Sequence, residues 1–299
     1  MSRVIYFGMR GIFSIAPLEG LVAAGVDVCA VVVPAMSPQA EPRPRRREPP
    51  APYSADLPVI NAYAEHNIVH VAWTHHIPVW EVGFLSNTET LALLTNLRPD
   101  LITVACFPQI FPAALLQLPG YGCLNLHPSL LPAYRGPVPI FWMARHGEPQ
   151  AGITLHFLSD GVDSGDIVSQ AAFAWPDGVT NVELQQRCAA AGADLLVAAV
   201  QRLERDGALP RRPQLEADAS YFSWPTEEHF QVDVSWPARR AFNFLRAAND
   251  WPLTIDIGPE RYHIRSAVSY TGQSLGQPYL RRDDDLWVQL NPGVLRVQI

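Results

Sequence analysis

Residues 121–166 read YGCLNLHPSLLPAYRGPVPIFWMARHGEPQAGITLHFLSDGVDSGD, and both the fold and the chemistry of the chain turn on them. The apolar-rich run at 123–126 predicts a buried strand. Asn125 and His127 stand two residues apart at its end, and alternation along a strand puts them on one side. Residues 128–136, punctuated by Pro128, Pro132 and Gly136, predict a rigid loop. A second strand is predicted at 152–157, followed by the Gly-punctuated loop 160–165 that carries Asp163. If the two strands are neighbours, that loop brings a carboxylate to the imidazole of His127. His156, in the second strand, reads either as a half-buried histidine with a backbone bond or as a partner of the site.

A carboxylate that accepts from a histidine fixes its tautomer and favours its charged form. An amide beside that histidine can donate to an oxygen that becomes negative during reaction. No Ser or Cys stands in a nucleophile-elbow context such as G-x-S-x-G. Acyl transfer between two bound substrates therefore fits better than a covalent intermediate. The plainer alternative is a buried polar turn in which Asn125 and His127 cap backbone groups.

The pattern Asn125-x-His127-Pro-Ser-Leu-Leu-Pro132, Tyr134-Arg-Gly136, Gly152-Ile-Thr-Leu-His156 and Asp160-x-x-Asp163-x-Gly165-Asp166 resembles the folate-dependent formyltransferases. Methionyl-tRNA, glycinamide-ribonucleotide and amino-sugar formyltransferases are among them, and the likeness runs over about 45 residues with the family's spacing. The resemblance implies that Asn125, His127 and Asp163 are the catalytic residues, and that 10-formyltetrahydrofolate is the co-substrate whose formyl group passes to an amine. It implies a folate pocket walled by Phe107 and Ile110, with Asp160 and Gly161 on the pterin-side loop. Ser129, Leu130, Leu131, Pro132 and Arg135 would then serve the acceptor.

The chain of 299 residues suits two domains. Residues 1–208 are expected to form the catalytic domain, 209–226 a linker, and 227–299 a small C-terminal mainly-β domain. Strand patterns at 4–7, 26–33 and 101–106 alternate with helix patterns at 12–24, 57–66 and 88–97. That rhythm predicts an α/β, Rossmann-like, mostly parallel sheet covered on both faces, which the resemblance equates with the formyltransferase fold. The turn Gly8-Met-Arg-Gly11 lacks G-x-G-x-x-G and speaks against a dinucleotide. Thr180 and Glu183 form a capping box that starts a helix running to about residue 205, with Gly207 as its C′ residue. A polar, Pro-spaced stretch at 209–219 reads as linker. A helix at 237–248 and strands at 253–257, 262–268 and 286–290 follow. Phe242-x-x-Leu-Arg246 and Trp251-Pro252 resemble the start of the OB-like C-terminal domain of methionyl-tRNA formyltransferases.

Composition excludes several classes. All 22 basic residues are arginine, so a P-loop lysine, Schiff-base chemistry and pyridoxal phosphate are ruled out. No apolar run is long enough to span a membrane, and the start lacks a signal-peptide core, so a cytoplasmic protein is expected. The four cysteines are scattered, which predicts buried free thiols. His70, His75 and His76 have no acidic residue at ligand spacing, and no metal is expected. A net charge of −7 opposes a broad nucleic-acid face but leaves a local basic contact open. The proline-rich stretch at 34–58 supplies one, an extended loop carrying Arg43, Arg45, Arg46 and Arg47. The resemblance implies that such a loop enters a tRNA acceptor arm. Methionyl-tRNA is accordingly the first expected acceptor and a nucleotide-linked amino sugar the alternative. A hydrolytic or non-catalytic folate-binding relative comes third.

Overall fold

The computed structural model describes residues 2–37, 43–49 and 66–299. The helix expected at 57–66 lies outside the described residues except for His66. In the amino-terminal half the strands expected at 4–7, 26–33 and 101–106 and the helices expected at 12–24 and 88–97 are present, among further elements that were not expected. Strand β1 (Arg3–Gly8) leads through α1 (Ile15–Ala23) to β2 (Asp27–Pro34). Both strands are apolar and buried from their second residue on, apart from the half-buried Pro34 that ends β2, as strands covered on both faces must be. After β3 (Arg45–Arg47) come α2 (Ile68–Thr74), β4 (Val79–Val82), α3 (Thr88–Asn96) and β5 (Leu101–Ala105). Asn67 and Asn87 start α2 and α3 by accepting backbone N–H groups of the first turn. A short α4 (Ala113–Leu116) then precedes β6 (Cys123–His127).

These strands belong to one eight-stranded sheet, ordered β3-β4-β2-β1-β5-β6 and completed by β7 (Gln150–Phe157) and β8 (Ile167–Ala174). Strands β4 through β6 run parallel, while β3 and β7 pair antiparallel with β4 and β6. The chain direction across the sheet reverses at β1, between β2 and β5. In such sheets ligands collect at the carboxyl ends of the strands, where β6 delivers Asn125 and His127. The long helix α6 (Asn181–Asp206) begins at the expected capping box: Thr180 N–H donates to Glu183 and Glu183 N–H to the Thr180 hydroxyl. Gly207 ends it at φ +72°.

By packing, the chain resolves into two units, divided elsewhere than at 208 and 227. The first unites Met1–His127, Ile153–Ala171 and Gln186–Ala217; the second unites Pro128–Gly152, Ala172–Gln185 and Asp218–Ile299. In the second unit, α5 (Pro139–His146) is apolar around most of its circumference. It buries Phe141 and Trp142 beside Phe244 of α7 (Ala238–Ala247), with Phe141 and Phe244 edge-on at 5.4 Å. Two small sheets complete this unit. One holds β9 (Gln231–Val232), β10 (Thr254–Ile257) and β11 (Glu260–His263); the other holds β12 (Ser266–Thr271), β13 (Tyr279–Arg282), β14 (Asp285–Gln289) and β15 (Val294–Gln298). The four-stranded sheet is antiparallel throughout. The single strand expected at 262–268 is in fact two, parted where Ile264 and Arg265 turn their N–H groups to Leu253 and Gln298. Residues 281–285 form the turn of a β-hairpin, with Asp283 at φ +52°.

The stretch 209–226 is not a free connection. Ile167 and Arg212 exchange both backbone hydrogen bonds, at 2.8 and 3.0 Å. Further on, Arg135 N–H donates to Ser220 O and Phe222 N–H to Arg135 O. Gly136, at φ +108°, is required there, because a Cβ would stand 3.1 Å from the Phe222 carbonyl carbon.

Candidate active site

Leu126 points at Gly192 of α6, where an added Cβ would lie 3.1 Å from its methyl group. By alternation its neighbours Asn125 and His127 face the other side of the sheet. Antiparallel pairing of β6 with β7 sets Asn125 opposite His156 and His127 opposite Thr154. The loop after β7 then carries Asp163 back over the strand ends. Its carboxylate oxygens stand 3.4 Å from Nδ1 of His127 and 3.6 Å from Nε2 of His156. The anticipated convergence of amide, imidazole and acid is therefore present, with a second imidazole added to it.

These groups are largely withdrawn from water. His127 is 4% exposed, His156 fully buried, and the Asp163 side chain 12% exposed. Asn125 is half-buried. Asn125 Nδ2 lies 3.1 Å from His156 Nε2, and His156 Nδ1 lies 2.9 Å from the carbonyl of Phe157. Asp163 adopts φ +49°, uncommon outside glycine. Gln214 holds it there: its Nε2 donates to Asp163 O at 2.7 Å and to Gly165 O at 2.8 Å. Arg211 lies over the Phe157 ring at 3.5 Å and reaches Asp166 at 3.6 Å. Gln214 and Arg211 were missed because a polar, aperiodic stretch gives no sign that its side chains brace a distant loop.

The remaining candidates are placed as follows. Phe107 packs edge-on against Phe7 at 5.2 Å and joins a core cluster, whereas Ile110 is 78% exposed. Both follow β5, whose end is in register with that of β6. Asp160 and Gly161 are exposed on the Asp163 loop. Ser129, Leu131 and Arg135 are buried, and Leu130 and Pro132 half-buried. Ser129 Oγ donates to Ala133 O at 2.8 Å, so this residue shapes its own loop.

The arginine stretch is a strand and not the loop expected: Arg45, Arg46 and Arg47 pair with Glu81, Trp80 and Val79 of β4. Arg47 reaches the buried Glu81 at 3.5 Å, Arg46 reaches Glu48 at 3.0 Å, and Arg43 reaches Glu89 at 3.3 Å. Trp73 secures the strand by donating to Arg47 O at 3.1 Å. No group of side chains able to hold a metal occurs among the described residues, and among them no helix is long and apolar enough to cross a membrane. Cys29, Cys123 and Cys188 are buried thiols and Cys106 an exposed one, and none of the four is in a disulfide.

The end of β6 thus brings an amide and an imidazole beside the carboxylate of the loop that follows β7. The chain belongs to the formyl transferase family, whose profile matches residues 21–200. It is a formyltransferase. A methionyl-tRNA formyltransferase of Synechococcus strain JA-3-3Ab is 40% identical over 66% of this chain and 62% of its own length. One from Pelotomaculum thermopropionicum is 35% identical over 84% of this chain and 73% of its own. Among solved structures, the N-formyltransferase of Helicobacter canadensis, crystallised with folinic acid and dTDP-3-aminofucose, shares the fold at a TM-score of 0.64. It is 16% identical and covers 100% of this chain and 99% of its own.

Proposed function

We propose that the protein transfers the formyl group of 10-formyltetrahydrofolate to the amino group of methionyl-tRNA, with Asn125, His127 and Asp163 as its catalytic residues. The carrying observation is the approach of Asp163 to His127, 3.4 Å apart, beside the amide of Asn125. The uncharged acceptor amine attacks the formyl carbon and leaves a tetrahedral intermediate with a negative oxygen. Asn125 donates an N–H to that oxygen, an interaction whose loss typically costs about 10²–10³ in rate. Asp163 beside Nδ1 directs a neutral His127 to carry its proton there, leaving Nε2 as the basic nitrogen. Through Nε2 the ring takes the proton from the attacking amine and hands one to the departing folate nitrogen. The 3.4 Å separation is long for a hydrogen bond and would tighten with substrate bound.

For the acceptor, the support comes from the curated relatives, both methionyl-tRNA formyltransferases. A second reading, formylation of a nucleotide-linked amino sugar, is favoured by the carboxylate partners that Arg43, Arg46 and Arg47 already have. The two are separated by incubating the protein with 10-formyltetrahydrofolate and either methionyl-tRNA or an amino-sugar nucleotide. Formyl transfer to the sugar alone would end the tRNA reading. Changing Arg43, Arg45, Arg46 and Arg47 together to Ala should weaken tRNA binding and flatten its salt dependence. An unchanged slope would remove the arginines from the interface.

A further inference from the structure

We infer that His156 is a positioning residue that fixes which end of the Asn125 amide faces the reacting oxygen, an inference that rests on the transfer reaction proposed above. The argument starts from the ring's surroundings. His156 is fully buried, and its Nδ1 lies 2.9 Å from the Phe157 carbonyl, which can only accept. Nδ1 therefore carries a proton. In the neutral ring Nε2 then holds a lone pair, and what stands before it, at 3.1 Å, is the NH2 group of Asn125. One N–H of the amide is thereby committed to the imidazole. The amide cannot turn its carbonyl toward Nε2 without setting two acceptors against each other. With the NH2 end so anchored, its second N–H remains to meet a developing oxyanion. A rotated amide would present a carbonyl oxygen there and repel the same charge.

Asp163 Oδ1 stands 3.6 Å from the same Nε2, farther away than the Asn125 amide at 3.1 Å, so the amide is the nearer of the two partners. The backbone makes the arrangement rigid. Asn125 and His156 are register partners on β6 and β7, so their separation is set by strand pairing and not by loop conformation. Such a device is useful to an amide, whose two ends have nearly the same shape and differ only in charge.

His156→Met fills the space but removes the acceptor, whereas His156→Gln restores a side-chain oxygen that can accept from Asn125. The Met variant should lose about 10- to 10²-fold in kcat, less than Asn125→Ala loses, with KM for both substrates within about threefold of the parent. The Gln variant should recover most of that loss. Combined with Asn125→Ala, His156→Met should add less than about twofold, since its effect passes through the amide. A fully additive loss would overturn the inference, as would full activity in His156→Met. A readout free of turnover is the scalar coupling between the two nitrogens across the N–H···N bond, measured by NMR on 15N-labelled protein. Coupling between Asn125 Nδ2 and His156 Nε2 is expected, and a protonated Nε2 facing the Asn125 oxygen would refute it. If the parent enzyme formylates neither acceptor, the functional proposal fails while the coupling still decides the geometry.

Discussion

Gly165→Ala puts the claim that Asp163 must be accurately placed to its strictest test. Gly165 is buried two residues after Asp163, and an added methyl would stand 2.9 Å from the carbonyl carbon of Phe157, with the oxygen closer still. Neither side can yield by rotating a side chain, because both are backbone. The Phe157 carbonyl is held by His156 Nδ1, and Phe157 N–H donates to Asp166 O at 2.9 Å, so the loop is stitched to β7 at its far end. Restoring van der Waals separation needs about 1 Å of opening, which must displace Asp163, His156 or both. A misplacement of that size costs about 10²-fold in rate, or about 2.7 kcal/mol of barrier. The stability loss should be about 1–3 kcal/mol, the usual cost of forced overpacking. Steady-state formyl transfer and thermal unfolding, measured on the same preparation, read the two effects separately. Gly120→Ala, whose methyl would meet nothing within 4 Å, serves as the control and should match the parent. If Gly165→Ala kept more than about a third of the parental kcat with an unmoved unfolding midpoint, the reasoning from distance to rate would be wrong.

Removing the brace on the same loop should act more gently: Gln214→Ala leaves the carbonyls of Asp163 and Gly165 without its amide and should lower kcat about tenfold, at a cost of about 1–2 kcal/mol in urea unfolding. Unaltered kinetics would show that φ +49° at Asp163 holds itself. Burial pushes the thiol of Cys29 up to about 11 and those of Cys123 and Cys188 to about 12. The thiol of Cys106 is raised too, by its partial withdrawal from water, but it belongs to the one exposed residue of the four, so it should be the first to react with a disulfide reagent at about pH 8 before unfolding. Rapid consumption of more than one equivalent would contradict this. Burial alone would raise the carboxyl of Asp177, yet hydrogen bonds from Tyr270, Asn243 and Arg239 outweigh it and hold the group below its ordinary 3.8. A lowered folded value means stability that is present above the unfolded value and lost as pH falls through the folded one. The stability gap between the parent and Asp177→Asn should therefore be constant from neutrality to about pH 5 and close below about pH 4. A gap that widened on acidification would reverse the assignment.

How much of the fold and the site was legible in the sequence depended on whether a signal was periodic. Strands β1, β2, β5 and β6 announce themselves because burial on both faces demands apolar-rich runs, and α6 because a capping box and Gly207 mark its ends. Asn125, His127 and Asp163 were visible through spacing and family likeness. Their convergence depended on β6 pairing with β7, which no local pattern states. Strand β3 was hidden, since Arg-Arg-Arg has no alternation to read and its strand character comes from the backbone of β4 and the bond from Trp73. The division of the chain was obscured for a related reason. Residues 209–226 resemble a linker in composition, yet their backbone bridges Ile167 at one point and Arg135 at another, pairings fixed by tertiary position alone.

The arginine strand also bears on the acceptor through the strength of its ion pairs. Arg43–Glu89 and Arg46–Glu48 are pairs of exposed side chains, worth about 0–1 kcal/mol each and weakened further by salt. A phosphate could displace either carboxylate at little cost, because the guanidinium fork matches phosphate oxygens at least as well. Arg47 is different. Its partner Glu81 is buried and shared with Arg10 at 2.9 Å, so withdrawing Arg47 would leave a buried carboxylate with one cation in place of two. Under the proposed tRNA reading, Arg43, Arg45 and Arg46 are those of the four that would meet the phosphates, and Arg47 anchors the strand. Every phosphate that an arginine no longer neutralises takes about 0.7–0.9 off the slope of log affinity against log salt. The fourfold alanine variant should therefore flatten that slope by at most about 3, and Arg47→Ala alone should lower stability more than it lowers the slope.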